Sequence, residues 1–196
     1  MANKKNIVRR IKSAVISVSD KSNLKPLLQT LNRYNIKLIS SGGTFKAIRK
    51  LGYRCLEVSD YTGFNEILDG RVKTLHPKIH AGILNKRNNN SHKREIKKNN
   101  FQNIDLVIVN FYPFEKTLNT TKNHNKIIEK IDIGGPALVR SAAKNYNDVA
   151  VIPSTNQYSA LIDQLKRFKG ATKLEFRKKL SQSAFNETAY LSLIHI

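Results

Sequence analysis

The sequence predicts an α/β fold in which a mostly parallel central sheet carries helices on both faces. The first observation is a set of short apolar runs, which have the length and composition of buried strands. These runs are residues 14–18, 36–39, 105–110 and 148–152. The second observation is that segments with apolar residues at helical spacing lie between them. Strands that alternate with helices are typical of a parallel sheet, because a helix returns the chain between neighbouring strands.

The first half of the chain begins this alternation. The strand at residues 14–18 leads through a candidate cap into a helix at 23–34. The strand at 36–39 is followed by a glycine turn and by a helix that ends at Gly52. We predict, in order, a strand at residues 53–58, a loop over most of 60–80 and a short strand at 81–84.

The second half repeats the pattern around the clearest buried strand, residues 105–110. We predict helices at residues 91–98, 122–130, 134–146 and 155–168, a last strand at 148–152 and a helical segment at 173–196. Residues 1–150 are expected to form one domain, and residues 151–196 a helical extension at its C-terminal end.

Composition excludes several classes of protein. The chain of 196 residues is 40% hydrophobic, which is enough for one sizeable core. Cys55 is the single cysteine, so no internal disulfide can form, which fits a cytoplasmic, reducing setting. Residues 1–12 are basic without the apolar stretch of a signal peptide, and no run approaches the length of a membrane helix.

The formal net charge of +21 allows two interpretations. A basic surface for nucleic acid is one. The other is a lysine- and asparagine-rich composition produced by A/T-rich codons, together with a phosphorylated small-molecule ligand. The sequence has no Trp, and its aromatic residues do not alternate with basic ones as they do in a stacking platform. The second interpretation is favoured, and nucleic acid is not the expected partner.

Polar segments follow three of the predicted strands, at residues 17–21, 41–44 and 110–112. In a parallel sheet the carboxyl ends of the strands meet at one edge, where ligands bind. The glycines at 42 and 43 would let a ligand approach the free N–H groups of the following helix. Tyr112, at the end of a buried strand, is either a core aromatic or a site hydroxyl, and its position favours the site.

Residues 69–80 combine cations, a hydroxyl and two imidazoles in a segment that contains a glycine and a proline. Arg71, Lys73 and Thr74 would complete a phosphate site, with a solvated basic loop as the alternative. His76 and His80 have the spacing of metal ligands on a helix. Pro77 lies between them and argues against a helix there, so no metal site is expected.

Residues 131–145 form a second dense segment. Pro136 suits the first turn of a helix, and the two preceding glycines leave main-chain N–H groups open. Arg140 and Lys144 would share one face of that helix. A neighbouring cation together with burial would lower the pKa of Lys144 and suit it to proton transfer. Spacing alone favours the alternative, a surface helix with two solvated cations.

These motifs together resemble the N-terminal half of the bifunctional purine biosynthesis protein family, which joins IMP cyclohydrolase to AICAR formyltransferase. The matching stretches occur in family order, and they are residues 16–21, 41–44, 58–64, 69–77, 80–84, 110–114, 131–136 and 140–145. The resemblance implies a methylglyoxal-synthase-like three-layer α/β fold with additional C-terminal helices.

The resemblance also implies a ring closure, in which 5-formamidoimidazole-4-carboxamide ribotide loses water to give IMP without a cofactor or a metal. It implies a substrate- and nucleotide-binding set consisting of Ser19, Asp20, Lys21, Ser41, Gly42, Gly43, Thr44, Arg71, Lys73, Thr74, Asn110, Phe111, Asp132, Ile133 and Gly134. The implied catalytic set is Lys144 as the proton-transfer residue, assisted by Lys73, Asp132 and Tyr112. A cytoplasmic homodimer whose partners are the purine ribotide and IMP is implied as well.

One departure from the family pattern is large. The family continues into a larger formyltransferase domain near the position where this sequence stops, and residues 191–196 match poorly. We therefore expect no formyltransferase activity from this chain. An alternative is an inactive purine-pathway remnant whose basic surface binds nucleic acid or a partner. Methylglyoxal synthase is a third possibility, supported by analogy of fold alone.

Overall fold

The computed structural model describes residues 7–112 and 114–195. Five parallel strands form the central sheet in the order β4-β3-β2-β5-β6. They are β2 (Ser13–Val18), β3 (Lys37–Ser40), β4 (Leu56–Glu57), β5 (Leu106–Asn110) and β6 (Ala150–Ile152). Two further strands, β1 (Val8–Arg10) and β7 (Ala171–Lys173), pair with each other antiparallel in a separate ribbon.

Helices flank the sheet, as the alternation in the sequence predicts. In the described residues they are α1 (Leu24–Arg33), α2 (Gly42–Lys50), α3 (Val58–Thr62), α4 (Pro77–Leu84), α5 (Asn90–Lys98), α6 (Phe114–Thr120), α7 (His124–Ile128), α8 (Gly134–Lys144), α9 (Tyr158–Arg167) and α10 (Leu174–Ile194). A short 3-10 turn at Thr155–Gln157 precedes α9. The predicted α/β class with a mostly parallel central sheet is confirmed. No helix of this described part is both long and apolar enough to cross a membrane.

The central strands β2 and β5 place the candidate site. Their side chains are buried on both faces, as the successive residues Val15 and Ile16 show with 1% and 0% exposed surface. The parallel register pairs Val18 with Asn110, so both strands end at the same edge. The polar residues that follow them therefore meet at that edge.

The predicted strand at residues 81–84 is wrong, because this segment belongs to helix α4. Pro77 occupies the first helical position, where its missing N–H costs no hydrogen bond. His76 caps the helix, and its Nδ1 accepts a hydrogen bond from Lys78 N at 3.1 Å. Pro77 thus starts a helix, although the sequence interpretation took it as evidence against one.

Other elements differ in extent from the prediction. The third strand is short, since Leu56–Glu57 alone pairs within the predicted range 53–58. Helices α3 and α6 and the β1–β7 ribbon were not predicted, and α3 lies where the end of a strand and the start of a loop were expected. The ribbon joins segments about 160 residues apart in sequence, and neither shows an alternating apolar pattern.

Residues after 150 pack closely against those before. Strand β6 pairs with β5, with Ile152 opposite Ile108. Ser181 in α10 donates a hydrogen bond to the carbonyl oxygen of Ala143 at 2.9 Å. A boundary between two units at residue 150 stays a prediction.

Arg177 in α10 is fully buried and has main-chain oxygens around its guanidinium group. It donates to the carbonyl oxygens of Tyr146 at 2.9 Å, of Asn147 at 3.0 Å and of Thr172. Burial lowers the pKa of Arg177 to about 10. This side chain fastens the last helix to β7 and to the loop that follows α8.

Candidate active site

A cavity of about 560 Å³ lies at the carboxyl edge of the sheet. Residues from the ends of β2, β3 and β5 line it together with residues of the 69–74 loop and the start of α8. The predicted residues that it brings together are Ser19, Lys21, Ser41, Gly42, Gly43, Thr44, Arg71, Lys73, Thr74, Asn110, Tyr112, Asp132, Ile133 and Gly134. Asp20, Phe111 and Lys144 do not belong to its wall among the described residues.

The start of α2 is built to receive an anion. Gly42 has a φ of 54°, a left-handed value that suits glycine, and it begins a helix of nine residues. A Cβ placed on Gly42 would lie 3.7 Å from Lys73 Nζ, and one placed on Gly43 would lie 4.0 Å from Lys21 Nζ. Two ammonium groups therefore stand near open N–H groups and the positive end of the helix dipole.

The Thr44 hydroxyl is engaged in structural hydrogen bonds and is not free for a ligand. Its Oγ1 accepts a hydrogen bond from Val18 N and donates one to Val18 O, each at 3.0 Å. These bonds tie the first turn of α2 to the end of β2. Thr44 lines the cavity, but its side chain is already paired with the main chain.

The loop that carries Arg71 is tightly folded. Leu68, Asp69 and Gly70 have consecutive positive φ values of 54°, 53° and 85°. Left-handed backbone at a residue other than glycine costs about 1–3 kcal/mol and clusters at functional sites. Main-chain pairing of Ile67 with Val72 closes the turn.

Acidic residues that sequence reasoning missed face the two loop cations. Arg71 forms an ion pair with Glu129, and both side chains are exposed. This contact holds the pKa of Glu129 below its usual value. Lys73 Nζ lies 3.6 Å from Glu66 Oε2. A bound phosphate would compete with these two carboxylates for the same cations.

Asp132 has the electrostatics of a proton-transfer group. Burial raises the pKa of its carboxyl above the ordinary value, while a hydrogen bond from Gly135 N and the charges of His195 and Lys73 act in the opposite direction. The bond from Gly135 N to Asp132 Oδ1 measures 2.8 Å. A raised pKa brings an aspartate closer to the range in which it can exchange a proton near neutral pH.

The double glycine at the start of α8 leaves room for two site residues. A Cβ placed on Gly134 would lie 2.8 Å from Thr74 Oγ1. A Cβ placed on Gly135 would lie 2.4 Å from Asp132 Oδ2. Both distances are too short for a real contact, so any side chain here would displace Thr74 or Asp132.

A reciprocal amide contact joins the ends of β2 and β5. Asn110 Oδ1 accepts from Asp20 N and Asn110 Nδ2 donates to Asp20 O, both at 2.8 Å. The Asp20 carboxylate accepts a hydrogen bond from Ser22 N, and bonds from Ser22 lower the pKa of Asp20. Behind this contact lies Tyr158, whose pKa is raised to about 12 by burial. The main chain of Asp20 therefore fixes the turn after β2 through Asn110, and its carboxylate is occupied by the hydrogen bond with Ser22.

Tyr112 and Ile133 present exposed surface to the cavity, with 45% and 62% of each residue accessible. Lys130 Nζ lies 5.2 Å from the centre of the Tyr112 ring, within the range of a cation–π contact. Phe111 is partly buried against the hydrophobic core, away from the cavity wall. Tyr112 thus lines the cavity, and its part in binding or catalysis stays a prediction.

Lys144 lies apart from these groups. It is exposed in the last turn of α8, whereas Gly134 at the first position of that helix lines the cavity. Ten residue steps along an α-helix correspond to about 15 Å. The burial on which its proton-transfer role was predicted is absent, and that role stays a prediction.

The two histidines have structural contacts. His76 caps α4, and His80 Nδ1 shares a hydrogen bond with Ser141 Oγ at 3.0 Å. Burial lowers the pKa of His80. In the described ranges, no group of three or more His, Cys, Asp or Glu side chains is arranged to hold a metal ion.

Comparison with known proteins identifies relatives that match most of the chain. The profile of the family described as "MGS-like domain" matches residues 23–137, and that of the "AICARFT/IMPCHase bienzyme" matches residues 142–194. The bifunctional purine biosynthesis protein PurH of Prochlorococcus marinus (strain NATL2A) is 52% identical over 182 residues, which cover 92% of this chain and 35% of that protein. PurH of Bradyrhizobium diazoefficiens is 46% identical over 181 residues, which cover 92% of this chain and 34% of that protein.

A solved structure shows the same fold. The crystal structure of ForH superposes with a TM-score of 0.83 at 31% identity, and the match covers 93% of each chain. The chain spans about a third of the length of the curated PurH relatives that it matches. It belongs to the MGS-like domain family and corresponds to the N-terminal part of the PurH proteins.

Proposed function

We propose that this chain is an IMP cyclohydrolase, which closes 5-formamidoimidazole-4-carboxamide ribotide to IMP in the last step of de novo purine biosynthesis. The observation that carries the proposal is one cavity that combines the N-terminus of α2 with Lys73 and Asp132, in a chain that aligns with PurH proteins. An anion-binding site and a candidate proton-transfer group thus line the same cavity.

The reaction sets clear demands on the site. The carboxamide nitrogen attacks the formyl carbon, and a nitrogen–carbon bond forms. The formyl oxygen then leaves as water, taking one proton from the carboxamide nitrogen and one from the formamido nitrogen. The site must hold the phosphate, donate to the developing oxyanion and accept the nitrogen protons.

The residues in the cavity meet these demands. The N–H groups at the start of α2, with Lys21 beside them, suit the phosphate. Lys73 suits the developing oxyanion, because it lines the cavity and its Nζ lies between Gly70 and the α2 turn, 3.1 Å from a Cβ placed on Gly70 and 3.7 Å from one placed on Gly42. We assign proton acceptance to Asp132, whose pKa is raised by burial. The exposed Lys144 at the far end of α8 supports this choice over the one that the resemblance implied.

An assay of the purified chain tests the proposal. The chain is incubated with the formamido ribotide, and IMP formation is followed by chromatography. Asp132→Asn should reduce kcat about a hundredfold, since positioned acid–base groups contribute about 10²–10⁴. Lys144→Ala should retain most of the activity if Asp132 is the acceptor. A wild-type rate no higher than the uncatalysed reaction would overturn the proposal.

The inactive-remnant alternative makes the opposite prediction. It requires salt-dependent binding to duplex nucleic acid without ring closure. A homodimer and a cytoplasmic setting, both implied by the family, complete the proposal. Light scattering coupled to gel filtration measures the first, and fractionation of the source cells measures the second.

A further inference from the structure

A second cavity, of about 570 Å³, lies at the amino edge of the same sheet. Its wall includes Ser13, the first residue of β2, and Asp105, which precedes β5. Val18, the last residue of β2, belongs to the wall of the candidate active site. At about 3.3 Å per residue, β2 separates the two cavities by about 17 Å. The amino-edge cavity is therefore a separate site.

Two carboxylates in this wall already have cationic partners. Asp148 Oδ1 lies 2.8 Å from Arg9 Nη2, and Asp148 Oδ2 accepts a hydrogen bond from Arg87 N at 3.1 Å. Asp105 Oδ1 lies 3.4 Å from Arg87 Nη2, and its Oδ2 accepts from Lys12 N at 2.9 Å. Arg9 and Arg87 thus balance the negative charge of the wall, which leaves the other cations in excess.

Three further cations line the cavity: Arg10, Lys12 and Lys37. Their residues are exposed, and no ion pair or hydrogen bond engages these side chains within residues 7–112 and 114–195. A main-chain bond from Lys37 N to Lys12 O at 2.9 Å holds two of them side by side. Like charges held close without a counterion repel one another, so an anion that joins them gains on binding.

The rest of the lining limits what that ligand can be. The wall holds no aromatic side chain in the described part, and Val8 is its apolar member. A nucleobase would find no ring to stack on, whereas phosphate oxygens would find a guanidinium fork and two ammonium groups. We propose that the amino-edge cavity binds a compact polyphosphate anion of the pyrophosphate or tripolyphosphate class.

Calorimetric titration of the full chain with tripolyphosphate at about 150 mM salt tests the proposal. The variant Arg10→Gln/Lys12→Gln/Lys37→Gln should weaken binding about 30-fold, since each exposed ion pair contributes a factor of about three. The matched control Lys93→Gln/Lys97→Gln/Lys98→Gln removes the same charge from exposed positions of α5 and should change affinity less than threefold. Circular dichroism and thermal unfolding of both variants verify their folds.

Three results would overturn the proposal. Equal weakening in the two triple variants would mean that binding follows total charge. Loss of tripolyphosphate binding in Lys73→Ala would place the anion in the candidate active site. Binding of adenosine triphosphate more than tenfold tighter than tripolyphosphate would contradict a site without a stacking surface.

Discussion

The two edges of the central sheet carry opposite kinds of charge arrangement. At the amino edge, Asp148 pairs with Arg9, and their side chains are 6% and 31% exposed. At the carboxyl edge, Arg71 pairs with Glu129, and their side chains are 62% and 56% exposed. Water screens the second pair much more than the first. The Asp148–Arg9 pair is thus held in place by burial, whereas the exposed Arg71–Glu129 pair can exchange partners with a ligand.

Lys73→Ala has the largest effect that this comparison predicts. We expect kcat/KM for IMP formation to fall about a hundredfold to a thousandfold, because a positioned donor at a developing oxyanion contributes about that much. Steady-state assays measure the loss. The exposed Lys97→Ala in α5 is the control and should stay within twofold of the wild type. A Lys73→Ala enzyme with half of the wild-type activity would contradict the assigned role.

Arg177→Met tests the buried hydrogen bonds that Arg177 makes to the carbonyl oxygens of Tyr146 and Asn147. We expect the free energy of unfolding to fall by about 3 kcal/mol, because several buried carbonyl groups lose their donor. Urea unfolding measures the change. Lys178→Met, the exposed neighbour in α10, should change stability by less than about 0.5 kcal/mol. Equal effects of the two substitutions would show that the guanidinium bonds do not hold α10 in place.

Gly135→Ala tests how closely Asp132 must be placed. The new Cβ would displace the carboxylate, and we expect kcat to fall about tenfold, because small misplacements of reacting groups are costly. Ser91→Ala, at an exposed position of α5 outside the cavity wall, is the control and should leave kcat unchanged. Kinetics of both variants separate the cases, and an unchanged kcat in Gly135→Ala would remove Asp132 from the mechanism.

The smallest expected effect is a dependence of stability on pH. An acid whose pKa is raised in the folded state binds its proton more tightly there, so its contribution to stability is lost as pH rises from 3.8 through the folded pKa of Asp132. Unfolding measured across this range should show that the wild type loses stability relative to Asp132→Asn. A constant difference between the two proteins would mean that burial leaves this pKa unchanged.

Much of the fold could be predicted because β2 and β5 are short apolar runs with clear boundaries. Residues 81–84 were assigned wrongly, because a short apolar run does not distinguish a strand from a buried helical turn by periodicity. Helix α4 places Gly82 against Gln102, whose carbonyl oxygen would lie 2.6 Å from an added Cβ. That close packing comes from a tertiary contact that the local sequence does not reveal.

The candidate site was predicted where it depends on strand ends and glycine turns. Lys73 was predicted from the cation-rich segment 69–80 and Asp132 from the resemblance; both line the cavity, and their roles stay predictions. Glu66 and Glu129 were missed, because exposed acidic residues have no sequence pattern that indicates which cation they face. Lys144 was grouped with Asp132 by its neighbourhood in the sequence, although the length of α8 separates them.

The buried Arg177 has a consequence for the order in which the chain folds. Synthesis proceeds from the N-terminus, so the carbonyl groups of Tyr146 and Asn147 leave the ribosome before their donor does. Until Arg177 emerges, water must solvate these carbonyl groups, and the contact between α10 and the loop after α8 cannot form. The sheet can therefore assemble early, whereas the packing of α10 through Arg177 is a late step. Proteases acting on nascent chains should distinguish those that end before Arg177 from those that include it.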